Sequence, residues 1–400
     1  MLATAQESIR RAARALGYSD AQIEAFLKPD QDLRFAAKIG GKTYPAFRVQ
    51  HSRKLGPYKG GIRFHPGVTI DEVQALATLM SIKTAAAGLP LGGGKGGIVV
   101  DPRELSAAEL EELSRDYARQ LAPHIGSGKD VPAPDVNTNS QIMDWMADEF
   151  EKITGETNRA TFTGKSLANG GSQGRVAATG YGAVVVLAEY LKAKGLAGKP
   201  LTVAVQGFGN AGYYFAKGAQ AQLPGLKIVA ISNSKHTWVR HGGFDVNRTT
   251  SPTDTPRPED LADAATAKLL PPEAILSQDA DILVLAALED ALNDENVKAA
   301  KASIVVEVAN GPVTDQAANV LFKKQVAVLP DVIVNAGGVI VSCLEWQQNL
   351  KHEAWSEEKV LKSMSQTLTK ATEAMLAEAA GRQISLKQAA FNLALRRLMD

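Results

Sequence analysis

The sequence predicts an α/β protein of two domains, in which an N-terminal α/β domain is followed by a Rossmann-like, doubly wound domain. The chain has 400 residues, which is more than one hydrophobic core normally holds. A glycine- and polar-rich section, 161–182, precedes a change of pattern. Beyond it, short apolar runs alternate with helical spacers. That order is typical of a parallel sheet covered by helices on both faces.

The strand candidates of the second domain are five apolar runs, 201–205, 227–231, 282–285, 304–308 and 326–329. The stretch 249–259 is rich in Pro, Thr and Asp and predicts an exposed loop. From Trp355 onward the pattern returns to helix, with Lys–Glu pairs on the exposed side.

The first domain is predicted from turn and capping signals. They indicate a hairpin around 39–41, a helix from the box at Thr69 to Gly88, a strand at 97–100, a helix from the box at Ser106 to before Pro123, and a helix from Asn139 to about 153. The strand at 97–100 is expected to follow a loop that contains Lys95. Two prolines exclude a helix at 131–135, which is predicted to be an extended loop.

Composition narrows the class of protein. Apolar content of 45% and charged content of 22% are ordinary for a globular protein, and a net charge of +1 indicates neither a nucleic-acid nor a membrane-surface partner. The single cysteine, Cys343, excludes an internal disulfide and fits a reducing compartment. Residues 1–16 carry three arginines, but Glu7 is atypical of a transit peptide. A docked helix and a cytoplasmic location are expected instead.

Three lysines in glycine-rich or apolar surroundings indicate an anion site. Lys59 precedes Gly60-Gly61, Lys95 lies within the glycine run 92–97, and Lys83 lies near the end of a predicted helix. Glycine neighbours let a small ligand approach closely. Three cations around one cavity would attract a molecule with more than one carboxylate, and their mutual repulsion would lower at least one lysine pKa towards neutrality. A solvated surface charge is the alternative for each lysine.

The segment 207–212, Gly-Phe-Gly-Asn-Ala-Gly, matches the full G-x-G-x-x-G pattern. An apolar strand precedes it and a helix starting near Ala211 follows, which is the context that a dinucleotide site requires. Backbone amides and the helix N-terminus would then hold the pyrophosphate. A tight strand-to-helix turn without a ligand is the alternative.

The next strand ends at 231–236, where an NAD site normally places an acidic residue for the ribose 2′-hydroxyl. Here Asn233 is neutral, and Lys235 and His236 are potential donors to a 2′-phosphate. The sequence therefore predicts NADP, NAD or both, unless Lys235 only faces solvent. No metal site is expected, because the six histidines have no metal-ligand spacing. Thr163-Gly164-Lys165-Ser166 resembles the end of a P-loop, but Arg159 stands at the required earlier glycine.

At this point the sequence resembles the glutamate dehydrogenase family, within the amino-acid dehydrogenases for Glu, Leu, Phe and Val. The similarity runs from about Phe26 to the C-terminus. It rests on GPYKGGIR at 56–63, LPLGGGKGG at 89–97, VPAPDVNT at 131–138, GSQGR at 171–175 with ATG at 178–180, VQGFGN at 205–210, ANGP at 309–312 and NAGGV at 335–339.

The resemblance implies reversible oxidative deamination of L-glutamate to 2-oxoglutarate and ammonia. Lys95 matches the family's general acid/base, and Asp135 matches the residue that carries protons to and from the amino nitrogen. Lys83 would hold the α-carboxylate, and Lys59 with Ser342 the side-chain carboxylate. The other expected substrate-site positions are Gly60, Gly61, Ala133 and Val339. Read alone, Asp135 could be a loop cap and Ser342 a helix-end hydroxyl. Arg63 and His65 are expected to belong to the scaffold.

The resemblance also implies the cofactor site and the assembly. The expected dinucleotide-binding residues are Gly207, Phe208, Gly209, Asn210, Ala211, Asn233 and Lys235, with Thr179, Asn310 and Asn335 on the nicotinamide side. Residues 1–178, with the C-terminal helix 366–400 packing back, would form the substrate and oligomerisation domain, and residues 179–365 the dinucleotide domain, with the active site in the cleft between them. A homohexamer is expected.

Three departures and two alternatives remain. The family commonly has an aspartate at Asn233 and a glycine at Val308, and the stretch 237–241 is unusual, so cofactor preference stays open. A dehydrogenase for an apolar amino acid is the first alternative, but a cation such as Lys59 would be left buried and unpaired by an aliphatic substrate. A catalytically silent paralogue is the second, and it would be expected to lack Lys95 or Asp135.

Overall fold

The computed structural model describes residues 2–250 and 255–400 and divides into two compact units. The first unit contains residues 1–175, 339–362 and 391–400, and the second contains 176–338 and 363–390. The first boundary lies close to the expected division after residue 178. The C-terminal part differs from the expected ranges, since 339–362 belongs with the first unit and 363–390 with the second. These later boundaries fall inside helices, where composition gives no linker signal.

The first unit is built around a five-stranded mixed sheet. Its elements before residue 175 are α1 (Leu2–Ala15), α2 (Asp20–Leu27), β1 (Gln31–Ile39), β2 (Lys42–Ser52), β3 (Tyr58–Phe64), α3 (Ile70–Ala86), β4 (Gly93–Ile98), α4 (Ala107–Leu121), β5 (Asp130–Pro134) and α5 (Ser140–Thr154). The strand order is β1-β2-β4-β3-β5. The β1–β2 and β2–β4 pairs are antiparallel, whereas β4–β3 and β3–β5 are parallel.

Helices cover both faces of this sheet. On one face, Ile62, Phe64 and Ile98 pack in one cluster with residues of α4 and α5. On the other, Val49 packs with Val73 and Ala77 of α3. Alternate side chains of a strand point to opposite faces. Lys59, Gly61 and Arg63, which alternate with Gly60 and Ile62, therefore belong to the α3 face.

The predicted hairpin and docked helix are confirmed. Gly40 and Gly41 connect β1 to β2 with φ of +51° and +79°. Positive φ at both central positions is the geometry of a two-residue turn whose twist matches the strands, and glycine adopts it without strain. In α1, Ile9 and Ala13 are fully buried. Met1, the first residue of the predicted helix, lies outside the described residues.

Helix starts also follow the predicted caps, with one difference. Ser106 and Glu109 form the reciprocal box at α4, and the Asn139 side chain accepts a hydrogen bond from the Ile142 amide at α5. Thr69 caps α3 by accepting from the amide of Glu72. The Glu72 carboxylate does not complete that box, because it pairs with Arg63 on β3.

Two segments expected to be loops are strands. Lys95 lies in the middle of β4, and not in a loop before a strand at 97–100. The glycines of β4 serve close packing: a Cβ on Gly93 would overlap Ser81 of α3, and one on Gly96 would overlap the Tyr117 hydroxyl of α4. Residues 130–134 form β5, an edge strand, and edge strands tolerate proline.

The second unit contains a seven-stranded sheet. Its elements are α6 (Ala178–Ala193), β6 (Leu201–Gln206), α7 (Asn210–Gln222), β7 (Leu226–Ser232), β8 (Thr237–Val239), β9 (Lys268–Leu270), β10 (Ile282–Leu285), β11 (Ile304–Glu307), α8 (Asp315–Lys323), β12 (Ala327–Leu329) and α9 (Asp331–Val334). The remaining helices are α10 (Gly337–Leu350), α11 (Glu357–Arg382) and α12 (Leu386–Met399). Most of α10 belongs to the first unit, and α11 and α12 each have residues in both units. All five predicted strands are present. The short β8 and β9 were not predicted, because three residues are too few to show an alternating pattern.

The strand order, β12-β11-β10-β6-β7-β8-β9, confirms the doubly wound topology. The chain runs outwards from β6 to one side, returns to β10 on the other side of β6, and continues to β12. The pairs from β12 to β7 are parallel, and β8 and β9 add an antiparallel edge. The reversal of strand order at β6 and β10 is the position where such sheets bind ligands.

The loop predicted at 249–259 lies partly outside the description, because residues 251–254 are not described. Thr249 forms a bridge with Leu261. None of the helices in the described part of the chain is both long enough and apolar enough to cross a membrane.

Candidate active site and dinucleotide loop

Neighbouring strands bring Lys59, Lys95 and Asp135 to one face of the first sheet. Lys59 and Gly61 share the α3 face of β3, and the parallel register, Ile62 beside Gly96, places Lys95 beside Gly61. Asp135 directly follows β5 and reaches the same position, since a Cβ on Gly61 would lie 2.7 Å from the Asp135 Cβ. Gly61 is therefore the residue that makes room for Asp135.

The two predicted proton-transfer residues are in direct contact. Lys95 Nζ donates to Asp135 Oδ1 at 2.6 Å, and their side chains are 7% and 20% exposed. Burial lowers the pKa of Lys95, and the Asp135 carboxylate opposes that shift. The pKa of Asp135 lies well below its usual range, because Lys95 and Arg63 together outweigh the effect of its burial. This arrangement holds Asp135 ionised beside a lysine that releases its proton more easily than a surface lysine.

Arg63, expected to be scaffold, contacts the predicted proton carrier. Its Nε donates to Asp135 Oδ2 at 2.7 Å, and its Nη1 pairs with Glu72. The sequence separation of 72 residues explains why no local pattern showed this contact. The available signal was a second cation, two residues after Gly61, on the same face of β3.

Lys59 is a deeply buried cation. The residue is 1% exposed, and within the described residues its Nζ makes one hydrogen bond, to Val131 O at 3.0 Å. Burial and the neighbouring guanidinium of Arg48 lower the pKa of Lys59 to about 7. Such an ammonium group gains most from a ligand that brings a negative charge.

Hydrogen bonds through Thr163 link Ser342 to β5, the strand whose Val131 carbonyl accepts from Lys59. The Ser342 hydroxyl and that of Thr163 lie 2.6 Å apart, and the Thr163 amide donates to Pro132 O at 3.0 Å. Pro132 pairs with Gly60 and lies next to Val131, the acceptor of the Lys59 ammonium. Thr163 is fully buried and was not predicted.

The other predicted substrate residues also lie in the first unit. Lys83 is half-buried in the last turn of α3. Ala133 pairs with Gly61 across the β3–β5 register, and Val339 lies in the first turn of α10. All nine predicted catalytic and substrate-binding residues therefore belong to the first unit.

A buried ion pair lies on the opposite face of the sheet, behind Gly60. Arg48 of β2 donates through Nε to Asp130 Oδ2 at 2.9 Å and through Nη1 to Gly60 O at 3.1 Å. Gln50 Nε2 donates to the same Asp130 oxygen at 2.7 Å. Arg48 and Asp130 are fully buried. The sequence analysis did not identify this pair, because Arg48 and Asp130 lie 82 residues apart.

The segment that resembles the end of a P-loop, 163–166, has a structural role. Lys165 Nζ donates to Glu345 Oε1 at 2.8 Å, and both side chains are fully buried. The same carboxylate accepts from the amide of Gly164. The lysine is therefore bound to a protein carboxylate and is not available to a phosphate.

The segment 207–212 has the geometry of a dinucleotide loop. Gly207 follows β6 with φ of +81°, and a Cβ on Gly212 would overlap the Gly207 carbonyl, so the helix start approaches the strand end closely. Gly209 is the N-cap of α7 and provides no side-chain cap, and nothing lies within 4 Å of the position of its Cβ. Uncapped amides beside open space fit a pyrophosphate group. The helix begins at Asn210, one residue before the predicted start, and Phe208 is buried.

The residues expected on the nicotinamide side lie around the ends of β11 and α9. Asn335 Nδ2 donates to Asn310 Oδ1 at 3.0 Å and to Val308 O at 3.2 Å. Thr179 is in the first turn of α6, and its hydroxyl would be 3.3 Å from a Cβ on Gly338.

A buried carboxyl supports the Asn310 turn. Glu307 Oε2 accepts from the Asp331 amide at 2.9 Å, and Asp331 Oδ2 accepts from the Gly311 amide at 2.9 Å. Glu307 is fully buried, and this burial with the negative charge of Asp331 raises the pKa of Glu307 to about 8. Burial and Asp331 therefore favour the neutral form of the Glu307 carboxyl group, a property that the sequence did not reveal.

Asn233 shapes the turn between β7 and β8. Its Oδ1 accepts from the amides of Lys235 at 2.8 Å and His236 at 3.0 Å, a turn that asparagine favours. Lys235 and His236 are exposed. Asn233 Nδ2 donates to Glu259 Oε2 at 3.4 Å. The turn therefore has a nearby carboxylate, Glu259, which the prediction from Asn233, Lys235 and His236 did not include. All ten predicted cofactor residues lie in the second unit.

Two family models match the chain along most of its length. One, described as Glu/Leu/Phe/Val dehydrogenase, dimerisation domain, matches residues 32–152. The other, described as Glutamate/Leucine/Phenylalanine/Valine dehydrogenase, matches residues 170–400.

Individual relatives agree with these models. The chain is 44% identical to the NADP-specific glutamate dehydrogenase A1 of Halobacterium salinarum, over 90% of this chain and 86% of that protein. It is 38% identical to the catabolic NAD-specific glutamate dehydrogenase of Bacillus subtilis, over 98% and 92%. The crystal structure of glutamate dehydrogenase from Peptoniphilus asaccharolyticus is 38% identical, with a TM-score of 0.87 over 99% of this chain and 97% of that one. The chain belongs to the Glu/Leu/Phe/Val dehydrogenase family.

Proposed function

We propose that this chain is an NAD(P)-dependent glutamate dehydrogenase, which interconverts L-glutamate with 2-oxoglutarate and ammonia. The observation that supports glutamate over the family's apolar substrates is the buried ammonium of Lys59, 1% exposed and hydrogen-bonded to one backbone carbonyl. An aliphatic substrate side chain would leave this cation without a counter-charge, whereas the distal carboxylate of glutamate would supply one. Full-length relatives named as glutamate dehydrogenases support the same reading.

The site residues divide the chemistry between them. Lys83 binds the α-carboxylate, and Lys59 with Ser342 binds the distal carboxylate, so that Cα is held in one orientation. Asp135 removes a proton from the amino nitrogen as Cα loses its hydride. A nicotinamide dinucleotide held by the 207–212 loop of the second unit would supply the hydride acceptor.

Hydrolysis of the resulting imine uses the same pair. Lys95, whose pKa is lowered by burial, takes a proton from water as the oxygen attacks Cα. Asp135 returns its proton to the nitrogen, and the carbonyl of 2-oxoglutarate forms as ammonia leaves and takes up the hydroxyl proton, departing as ammonium, while Lys95 releases its proton to solvent. The direct Lys95–Asp135 contact lets the two groups exchange protons between these steps.

Initial rates with L-glutamate, L-leucine and L-phenylalanine, each with NAD and with NADP, test the proposal. Glutamate should have the highest kcat/KM with at least one dinucleotide. A preference for leucine or phenylalanine would instead support an apolar amino-acid dehydrogenase. A protein that binds dinucleotide but reduces none with any of the three would be a silent paralogue.

We also propose that the chain forms a homohexamer and is located in the cytoplasm. One matching family model is described as a dimerisation domain, and a solved relative from Thermus thermophilus, 35% identical with a TM-score of 0.87, is described as hetero-hexameric. Cys343 is a buried free thiol, which fits a reducing compartment. The particle mass of the chain expressed alone would distinguish a homohexamer from an assembly that needs a second type of subunit.

Replacing Lys59 by leucine together with Ser342 by alanine should reverse the substrate preference. Glutamate loses both partners of its distal carboxylate, a loss of about 2–5 kcal/mol, or roughly 30- to several thousand-fold in kcat/KM. Leucine should gain relative to glutamate, because no buried cation has to be left unpaired. The ratio of kcat/KM for glutamate and leucine measures the change.

Lys54→Leu is the matched control, since Lys54 is exposed and lies in the same unit. It should leave the ratio unchanged. An unchanged ratio in the double variant would mean that Lys59 and Ser342 do not bind the side-chain carboxylate.

Cofactor preference should respond to two side chains at the β7–β8 turn. Glu259→Gln removes the carboxylate beside Asn233 and should raise the NADP to NAD ratio in kcat/KM about ten-fold, equal to about 1.4 kcal/mol. Asn233→Asp keeps the acceptor for the Lys235 amide but adds a negative charge, and it should shift the ratio towards NAD. Both shifts should shrink at high salt.

Exposed Glu295 in the same unit provides the control, Glu295→Gln. Equal ratios in all three variants would show that the turn does not contact the adenosine ribose.

A further inference from the structure

We propose that Arg63 is a positioning residue for proton transfer, which, anchored by Glu72, holds the Asp135 carboxylate with Oδ1 directed at Lys95. The inference rests on the proposed role of Asp135 as the proton carrier. It assigns a function to a residue that the sequence suggested was only scaffold.

The contacts divide the Asp135 carboxylate between two cations. Oδ1 accepts from Lys95 Nζ at 2.6 Å, and Oδ2 accepts from Arg63 Nε at 2.7 Å. A guanidinium group does not lose its proton in proteins. The guanidinium therefore binds Oδ2 with a proton that it keeps, and Oδ1, the oxygen that faces the general acid/base, is the one left to exchange protons.

Glu72 fixes the guanidinium. It lies in the first turn of α3, and its carboxylate pairs with Arg63 Nη1 instead of closing the capping box with Thr69. Arg63 and Glu72 are 21% and 19% exposed, so solvent screens this contact only in part. Arg63 is thus held at both ends, by the helix through Glu72 and by the carboxylate that it orients.

The charges around Asp135 come from two strands and one helix. Lys95 of β4 and Arg63 of β3 both lower the pKa of Asp135, and burial opposes them. Glu72 of α3 acts through Arg63, and the Asp135 amide donates to the Thr138 hydroxyl without adding charge. Removing the Arg63 charge should therefore raise the pKa of Asp135, so that a higher pH is needed to ionise it.

The pH dependence of kcat/KM for glutamate tests this role. In Arg63→Gln the acidic limb should move to higher pH by up to about 1–3 units, because the Arg63 charge lowers the pKa of both Asp135 and Lys95. Arg63→Lys keeps the positive charge but loses the guanidinium that contacts Asp135 and Glu72 with separate nitrogens. The acidic limb should therefore move less than in Arg63→Gln, whereas kcat should fall. Glu72→Gln removes a negative charge and should not move the limb to higher pH, although kcat should fall as the guanidinium loses its anchor.

Two controls separate the possible failures. Arg103→Gln changes an arginine that is 86% exposed and should leave the profile unchanged. Asp135→Asn retaining more than about a tenth of the wild-type rate would overturn the proton-carrier role itself. If Asp135→Asn is inactive but Arg63→Gln lowers kcat equally at every pH, Arg63 is only structural and the inference is wrong. Should Arg63→Gln fail to fold, the same decision follows from Arg63→Lys, whose limb must move if the inference holds.

Discussion

Replacing Lys95 by alanine should lower kcat for glutamate by at least about 10²–10⁴-fold, the range that a positioned acid/base supplies. The ammonium of Lys95 is the group in contact with Asp135 Oδ1, and burial lowers its pKa, so that it releases its proton more easily than a surface lysine. Without it, neither water activation nor proton exchange with Asp135 has a partner. Steady-state rates over a range of pH measure the loss.

Dinucleotide binding should be unaffected in this variant, because the 207–212 loop belongs to the second unit. Fluorescence titration with the reduced dinucleotide provides that check. The variant should also fold, since Arg63 still pairs with the Asp135 carboxylate. Lys54→Ala, at an exposed lysine, is the control. A folded Lys95→Ala protein with near-normal kcat would remove Lys95 from the mechanism.

Replacing Asp130 by alanine should destabilise the protein by about 3–5 kcal/mol, because it leaves a buried guanidinium without a counter-charge. Arg48 and Asp130 are both fully buried, and Arg48 also donates to Gly60 O. The thermal midpoint, measured at one fixed protein concentration, should fall by roughly 10 °C.

The double variant Arg48→Met with Asp130→Leu separates charge from packing. Removing both charges should recover most of the lost stability, since apolar residues of similar volume often replace buried ion pairs without cost. Asp32→Ala breaks the exposed Arg34–Asp32 pair and should change the midpoint little. If Asp130→Ala were as stable as the wild type, the buried pair would not contribute to folding.

Local signals in the sequence predicted much of the fold. Ser106 with Glu109, Gly40 with Gly41, and the strand before Gly207 carry their information within a few residues. The glycine run containing Lys95 was misassigned, because glycine has no side chain from which an alternating pattern could be read. Its requirement for close packing against Ser81 and Tyr117 exists only in the folded molecule.

The site was predictable as a set of residues but not as a network. The motif matches placed Lys95 and Asp135 together, and the structure brings them into contact. The partner that orients Asp135 lies 72 residues away, and the carboxylate beside Asn233 lies 26 residues away. Neither contact leaves a local pattern, because each depends on strand register or on a loop returning to the sheet. Glu307 was missed for a related reason, since its raised pKa follows from burial and from Asp331, and not from its neighbours in sequence.

The glycine contacts of β3 and β4 also limit how this enzyme can be redesigned. A Cβ on Gly60 would overlap the carbonyl oxygen of Gly94, and a Cβ on Gly61 would lie 2.7 Å from that of Asp135. A side chain at Gly60 would push apart the strands that carry Lys59 and Lys95, and one at Gly61 would displace Asp135. Mutant libraries aimed at new substrates should therefore hold both glycines constant and vary the side chains around them. Within that limit, an engineer can change what the site recognises while the backbone that aligns the proton-transfer groups stays in place.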